Sequence, residues 1–174
     1  MVALPYGVWA VLLYSVLSAG VNAEPVVPCT IARPVSATEM VRDAQVIVRA
    51  QAVEYSVGPT GLTTTGTPNS VVRFKVVETL KGSVGAADLT LQGYLGEKDD
   101  FNDHAAPYTF VRPGGRAGSC FANTYRRGAE FLLMLKRAGD AFTVNWYALG
   151  PVNEQLRSAD DPWLRWVREE LKRK

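Results

Sequence analysis

The first 23 residues contain no Asp, Glu, Lys or Arg. Within that uncharged stretch positions 8–17 are almost wholly apolar, and Ser18, Ala19 and Gly20 lead to Val21-Asn22-Ala23. A short apolar run closed by small residues at −3 and −1 predicts a secretory signal peptide over 1–23, cleaved after Ala23. An uncleaved anchor is the alternative, because residues 2–20 are nearly long enough to span a bilayer. Any membrane contact is expected only through this segment, and the protein is expected to be secreted or periplasmic.

Catalytic signatures are also missing. There is no Gly-x-Ser-x-Gly, phosphate loop, dinucleotide fingerprint or His-Glu-x-x-His. The chain has one histidine, His104, and two cysteines, Cys29 and Cys120. With no catalytic group in view, the chain reads as a non-enzyme without a cofactor and with no metal of its own. A formal net charge of +2, its basic residues scattered until the last helix, gives no footprint for nucleic acid. No Asn-x-Ser/Thr sequon occurs, so N-linked glycans play no part.

Two cysteines in an exported chain most simply make one disulfide. Joining Cys29 to Cys120 closes a loop of about 90 residues, worth roughly 4–5 kcal/mol in the chain-entropy account. The competing use of Cys120 is as a nucleophile, which would require His104 as its base.

What the chain does contain is alternating apolar pattern. Residues 24–174 suffice for one domain with a substantial core. Ser36 followed by Glu39 forms a capping box ahead of Met40, Val41 and Ala44, predicting a short helix. Five strands follow, over 44–57, 71–80, 87–94, 129–137 and 141–148. The fourth, Phe131 to Leu135, is apolar on both faces and therefore belongs at the centre. Ala50 and Ala52 would let the long first strand bend. The Ala138-Gly139-Asp140 turn makes a hairpin of the last two strands.

Residues 58–70 read as a turn-rich connection and 95–127 as a long polar loop insertion. Within that insertion Asp99, Asp100, Asp103 and His104 read as a solvated acidic loop, since EF-hand spacing is absent. Arg126 and Arg127, with Arg112 and Arg116, are candidates for a basic patch. A C-terminal amphipathic helix over 160–173 is capped by Asp160 or Asp161, with Pro162 in its first turn. Trp163, Trp166, Val167, Glu170 and Leu171 share one side of it, which is expected to pack on the barrel.

Five strands with a bent first one and flanking helices suggest a mainly β, five-stranded OB-like Greek-key barrel. The chain resembles the netrin-like module, and more narrowly the N-terminal domain of the tissue inhibitors of metalloproteinases. The resemblance rests on Cys29-Thr30 before a helix, on residues 44–53 and 74–82, and on 128–135 followed by 142–149. It implies that Cys29 pairs with Cys120, and that the domain binds a protein or glycan partner outside the cytoplasm. It also implies an alternative, inhibition of a zinc metalloprotease. There the Cys29 amine and carbonyl chelate the protease zinc and Thr30 covers the substrate pocket. That mechanism requires trimming to Cys29; Ile31 stands where the family places a second cysteine. A binding module is therefore the first expectation.

Overall fold

The computed structural model describes residues 34–60, 68–116 and 120–173. The expected signal peptide, Cys29 and Thr30 lie outside the described residues. In chain order the elements are helix α1 (Ala37–Asp43), strands β1 (Val46–Val57), β2 (Val71–Lys81), β3 (Asp88–Gln92) and β4 (Tyr94–Gly96), helix α2 (Pro113–Arg116), strands β5 (Thr124–Arg126), β6 (Glu130–Ala138), β7 (Ala141–Val144) and β8 (Asn153–Gln155), and helix α3 (Pro162–Glu170).

The result is a mainly β protein built on one antiparallel sheet with a few short helices. The sheet runs β3-β2-β1-β6-β7, and β8 also pairs with β6. β6 is central: Val46 to Gln51 of β1 pair along one edge, while Val144 of β7 and Gln155 of β8 oppose Leu135 and Phe131 on the other. Phe131, Leu132, Leu133, Met134 and Leu135 are all fully buried, which explains a strand apolar on both faces. β1 presents Val48, Ala50 and Ala52 to the core, and its register with β2 shifts at four places. Bulges and small side chains together curve the strand. β3 and β7, the two ends of the sheet path, come close to one another, although no strand pairing joins them among the described residues.

The hairpin between β6 and β7 turns at Gly139-Asp140, with Gly139 at φ 62° in the position where a tight turn needs a positive φ. The capping box forms as expected. Ser36 Oγ accepts from the Glu39 amide at 3.2 Å and Glu39 Oε2 accepts from the Ser36 amide at 3.0 Å. The other end of α1 is closed from β2: Lys81 Nζ donates to the Val41 and Arg42 carbonyls at 2.9 and 2.7 Å. A cation there satisfies carbonyls that the helix leaves unpaired and complements its dipole. Burial pulls the Lys81 pKa down. Lys81→Met is expected to destabilise the protein by about 1–2 kcal/mol, read as a lower urea midpoint at unchanged slope.

α3 begins where the sequence places it. Asp161 Oδ1 accepts from the Trp163 amide at 2.9 Å and Pro162 is the first helical residue. Trp163 and Val167 are buried as expected; Leu164, outside the expected stripe, is buried with them. Tyr108, Trp163 and Trp166 stack in series, with centroids 5.0 and 5.1 Å apart. Arg168 ties the helix to β2 through Glu78 at 2.6 Å.

Several expectations need correction. The helix expected over 160–173 is confined to Pro162–Glu170. Among the described residues there are eight strands, not five. The strand expected over 87–94 stops at Gln92, and Tyr94 starts β4, which pairs in parallel with β5 in a separate two-stranded sheet. The strand expected over 141–148 stops at Val144. The stretch 95–127 is not simply a polar loop: it carries α2, β5 and part of β4, and buries Tyr108, Val111, Arg112, Ala122 and Tyr125. Strands of three residues are too short to display a period, and a buried arginine looks like a surface one in sequence. Among the described residues no helix is long and apolar enough to cross a membrane.

Candidate functional site: an anchored loop and the cleft beside it

Arg112 is fully buried. Its Nε donates to Asp100 Oδ2 at 2.9 Å, and Nη2 donates to the Ala122 and Thr124 carbonyls at 2.9 and 2.7 Å. Nη1 donates to both the main-chain and side-chain oxygens of Asn153. All five guanidinium N–H groups are thus used, and the flat cation also lies 5.4 Å from the Phe131 ring centroid and 5.7 Å from that of Tyr125. Only such complete pairing makes a buried guanidinium tolerable.

β8 supplies Asn153 and two further anchoring residues. Glu154, fully buried, accepts from the Arg112 amide at 3.2 Å through Oε1 and from Asn102 Nδ2 at 2.9 Å through Oε2. Asn102 Nδ2 also donates to the Phe110 carbonyl at 2.7 Å. Asn153 Nδ2 donates to the Ala122 carbonyl at 2.6 Å and to Tyr125 Oη at 3.1 Å. Gln155 accepts from the Asp100 amide at 2.9 Å and donates to Asp99 Oδ1 at 2.5 Å. Three consecutive polar residues of β8, inserted next to β6, thereby hold the stretch from Asp99 to Thr124 against the sheet. Burial pushes the Glu154 carboxyl up to about 7, with the Arg112 charge and the Asn102 hydrogen bond opposing the shift. Both Glu154 oxygens are taken by structural donors, and Glu154 lines neither of the cavities described below. Its displaced pKa is therefore a consequence of anchoring the loop.

Cys120 leads out of this anchored stretch in a left-handed conformation, φ 61°, and its carbonyl accepts from the Leu149 amide at 2.9 Å. Among the described residues no cysteine is free. The next residue, Phe121, meets Trp146 edge to face at 5.2 Å. These two rings, with Leu91 and Gln92 of β3, Asn123, Thr143 and Val144 of β7, and Pro68, line a cleft of about 250 Å³ where the ends of the sheet approach. A second, more polar groove of about 410 Å³ is lined by Arg49, Asp99, Arg126, Glu130, Arg157 and Ser158, among others.

The sequence candidates distribute as follows. Cys29 and Thr30 lie outside the described residues, so their relation to Cys120 carries over as a proposal. The acidic loop is not merely solvated. Asp100 holds Arg112 and the Gly114 amide, Asp99 meets Arg126 at 3.2 Å, and Asp103 pairs with Arg116, which holds the Asp103 carboxyl below its usual range. His104 stacks on Phe110 at 6.0 Å and faces Asp103 at 3.7 Å. The four arginines do not form one basic face: Arg112 is inside, Arg116 and Arg126 meet Asp103 and Asp99, and Arg127 meets Glu97 at 3.7 Å. Sequence reasoning missed Arg112 as a buried residue and missed Asn153, Glu154 and Gln155 altogether. The available signal was a run of three polar residues enclosed by Val152 and Leu156.

Among the described residues no group of three or more His, Cys, Asp or Glu side chains is arranged to hold a metal ion. Compared with protein-family models and with curated proteins, the chain matches none of either.

Proposed function

We propose that this chain is an exported, disulfide-closed binding module of the netrin-like, OB-type class, non-catalytic, that engages a protein or glycan partner outside the cytoplasm. The observation that supports this reading is the sheet path β3-β2-β1-β6-β7, whose end strands return towards each other. That is the order and curvature a five-stranded Greek-key barrel requires. On this reading β4, β5 and β8 are additions to the barrel, and the buried Arg112 cluster fixes them as a rigid platform. Cys29 then pairs with Cys120, tying the segment after the signal peptide to the β3/β7 end of the sheet. A rigid, disulfide-bound surface suits partner binding because little conformational entropy is lost on association.

The test is the intact mass and N-terminal sequence of the exported protein, before and after reduction. A chain beginning near Glu24, two hydrogens lighter than its reduced form, is the expected result. Two free thiols would refute the disulfide-closed module. A chain beginning at Cys29 would instead favour zinc-protease inhibition through the Cys29 amine and carbonyl, to be pursued by titration against a zinc metalloprotease.

A further inference from the structure

We propose that the groove lined by Arg49, Arg126 and Arg157 is a binding site for one oxyanionic group, the chemistry of a phosphate or a carboxylate. The groove shares no lining residue with the cleft beside Cys120, so the proposal stands apart from the function argued above. Three arginines from three separate parts of the chain meet there: Arg49 on β1, Arg126 on β5 and Arg157 in the segment between β8 and α3.

Each arginine is held in a way that leaves donors over. Arg49 uses Nε on Glu130 Oε2 at 2.6 Å, and its side chain is only 17% exposed. Arg126 is approached at Nε by Asp99 at 3.2 Å, and Asp99 is itself fixed by Gln155. In both cases the carboxylate engages Nε, and Nη1 and Nη2 have no hydrogen-bond partner among the described residues. Arg157 lies over the Phe101 ring at 4.8 Å, donates Nη2 to the Asn102 carbonyl at 3.0 Å and also hydrogen-bonds the Tyr108 hydroxyl, which leaves part of its five-donor fork over.

A guanidinium braced at one edge presents the paired N–H groups of the other as a rigid fork, which matches the two oxygens of a carboxylate or phosphate. Three positive charges against Glu130 and Asp99 leave the groove with one surplus positive charge, the sign an anion requires. The Ser158 side chain adds a neutral donor at the same rim. A cavity of about 410 Å³ holds such a group with room for the small molecule or side chain bearing it.

The experiment titrates the full exported chain with inorganic phosphate and, separately, succinate. Ionic strength is held constant with sodium chloride, and binding is followed by amide chemical shifts or calorimetry. Saturable binding is expected, at least tenfold weaker in Arg126→Gln and in Arg157→Gln, and unchanged in Arg165→Gln, an exposed position on α3 outside the groove. Both groove variants change exposed or half-exposed side chains, and an unaltered thermal midpoint without ligand confirms that each is folded. Tighter binding of phosphate than of succinate assigns the site to a phosphate group; the reverse order assigns it to a carboxylate. Failure of both probes to saturate, or equal binding by wild type and the two groove variants, would overturn the proposal.

Discussion

Replacing Arg112 by Met is expected to destabilise the protein by about 3–5 kcal/mol, the range for removing one partner of a buried ion pair. Methionine fills much of the same space, so the loss comes from stranded acceptors rather than from a cavity. Asp100 loses its cation, the Thr124 and Asn153 carbonyls lose the Arg112 donors, and the Ala122 carbonyl keeps only Asn153 Nδ2. Each buried acceptor left without a partner carries a desolvation penalty of about 1–3 kcal/mol. Arg112→Lys is expected to recover only a minor part: one ammonium offers three hydrogens from a single point, whereas five directions are used here. The measurement is urea unfolding of the three proteins, joined by limited proteolysis. Cleavage within 95–127 should accelerate in both variants before cleavage elsewhere. Should Arg112→Met not fold, Asp100→Asn removes one charge of the same pair and tests the same claim by a smaller step. A loss below about 1 kcal/mol for Arg112→Met would mean that the stretch 95–127 is held by its apolar contacts instead.

The contrast between what the sequence displays and what it conceals follows from the same residues. β6 was legible because five consecutive apolar positions have one physical explanation, burial on both faces. α1 and the start of α3 were legible because their caps are local: Ser36, Glu39, Asp161 and Pro162 act within three residues of the helix end. The Arg112 cluster is non-local. Its members are spread from Asp99 to Gln155, and each alone has the composition of a surface loop. Burial of a charge depends on where its partners arrive, and no periodicity encodes that. The cleft beside Cys120 was hidden for a related reason. Phe121 and Trp146 lie in segments whose polar neighbours mask them, and they meet where the Leu149 amide donates to the Cys120 carbonyl and ties the two segments together. The basic residues show the reverse error. Arg112, Arg116, Arg126 and Arg127 are near in sequence, but the fold gives them separate carboxylates.

A second large effect is expected along the pH axis, from Glu154. The carboxyl sits at about 7 in the folded protein, against 4.5 as its ordinary value. Between those two values the folded state holds a proton that the unfolded chain has released. Proton binding therefore favours folding on the acid side: this contribution is fully present below about pH 4.5 and is lost as the pH rises through about 7. At about 1.4 kcal/mol per pH unit of displacement the loss is about 3 kcal/mol, an order-of-magnitude figure for so buried a group. The charged and polar groups facing it are Arg112 and Asn102, which favour the ionised form, and Asp100, which opposes it. Asp103 acts in the opposite sense and in another window, since its lowered pKa contributes stability that disappears only as the pH falls below the usual carboxylate range. Glu154→Gln isolates the buried group. Its amide oxygen can still accept from the Arg112 amide, but its nitrogen meets Asn102 Nδ2 donor to donor. The variant is therefore expected to be less stable than wild type at pH 5 and to approach or pass it at pH 8. The difference between the two unfolding free energies from urea titration should change by about 2–3 kcal/mol over that interval, and direct titration of the Glu154 carboxyl carbon by NMR gives the same answer without a variant. Parallel pH profiles for the two proteins, or a titration midpoint near 4.5, would mean that Arg112 and Asn102 stabilise the charge enough to offset its burial, leaving Glu154 ionised at neutral pH beside the Arg112–Asp100 pair.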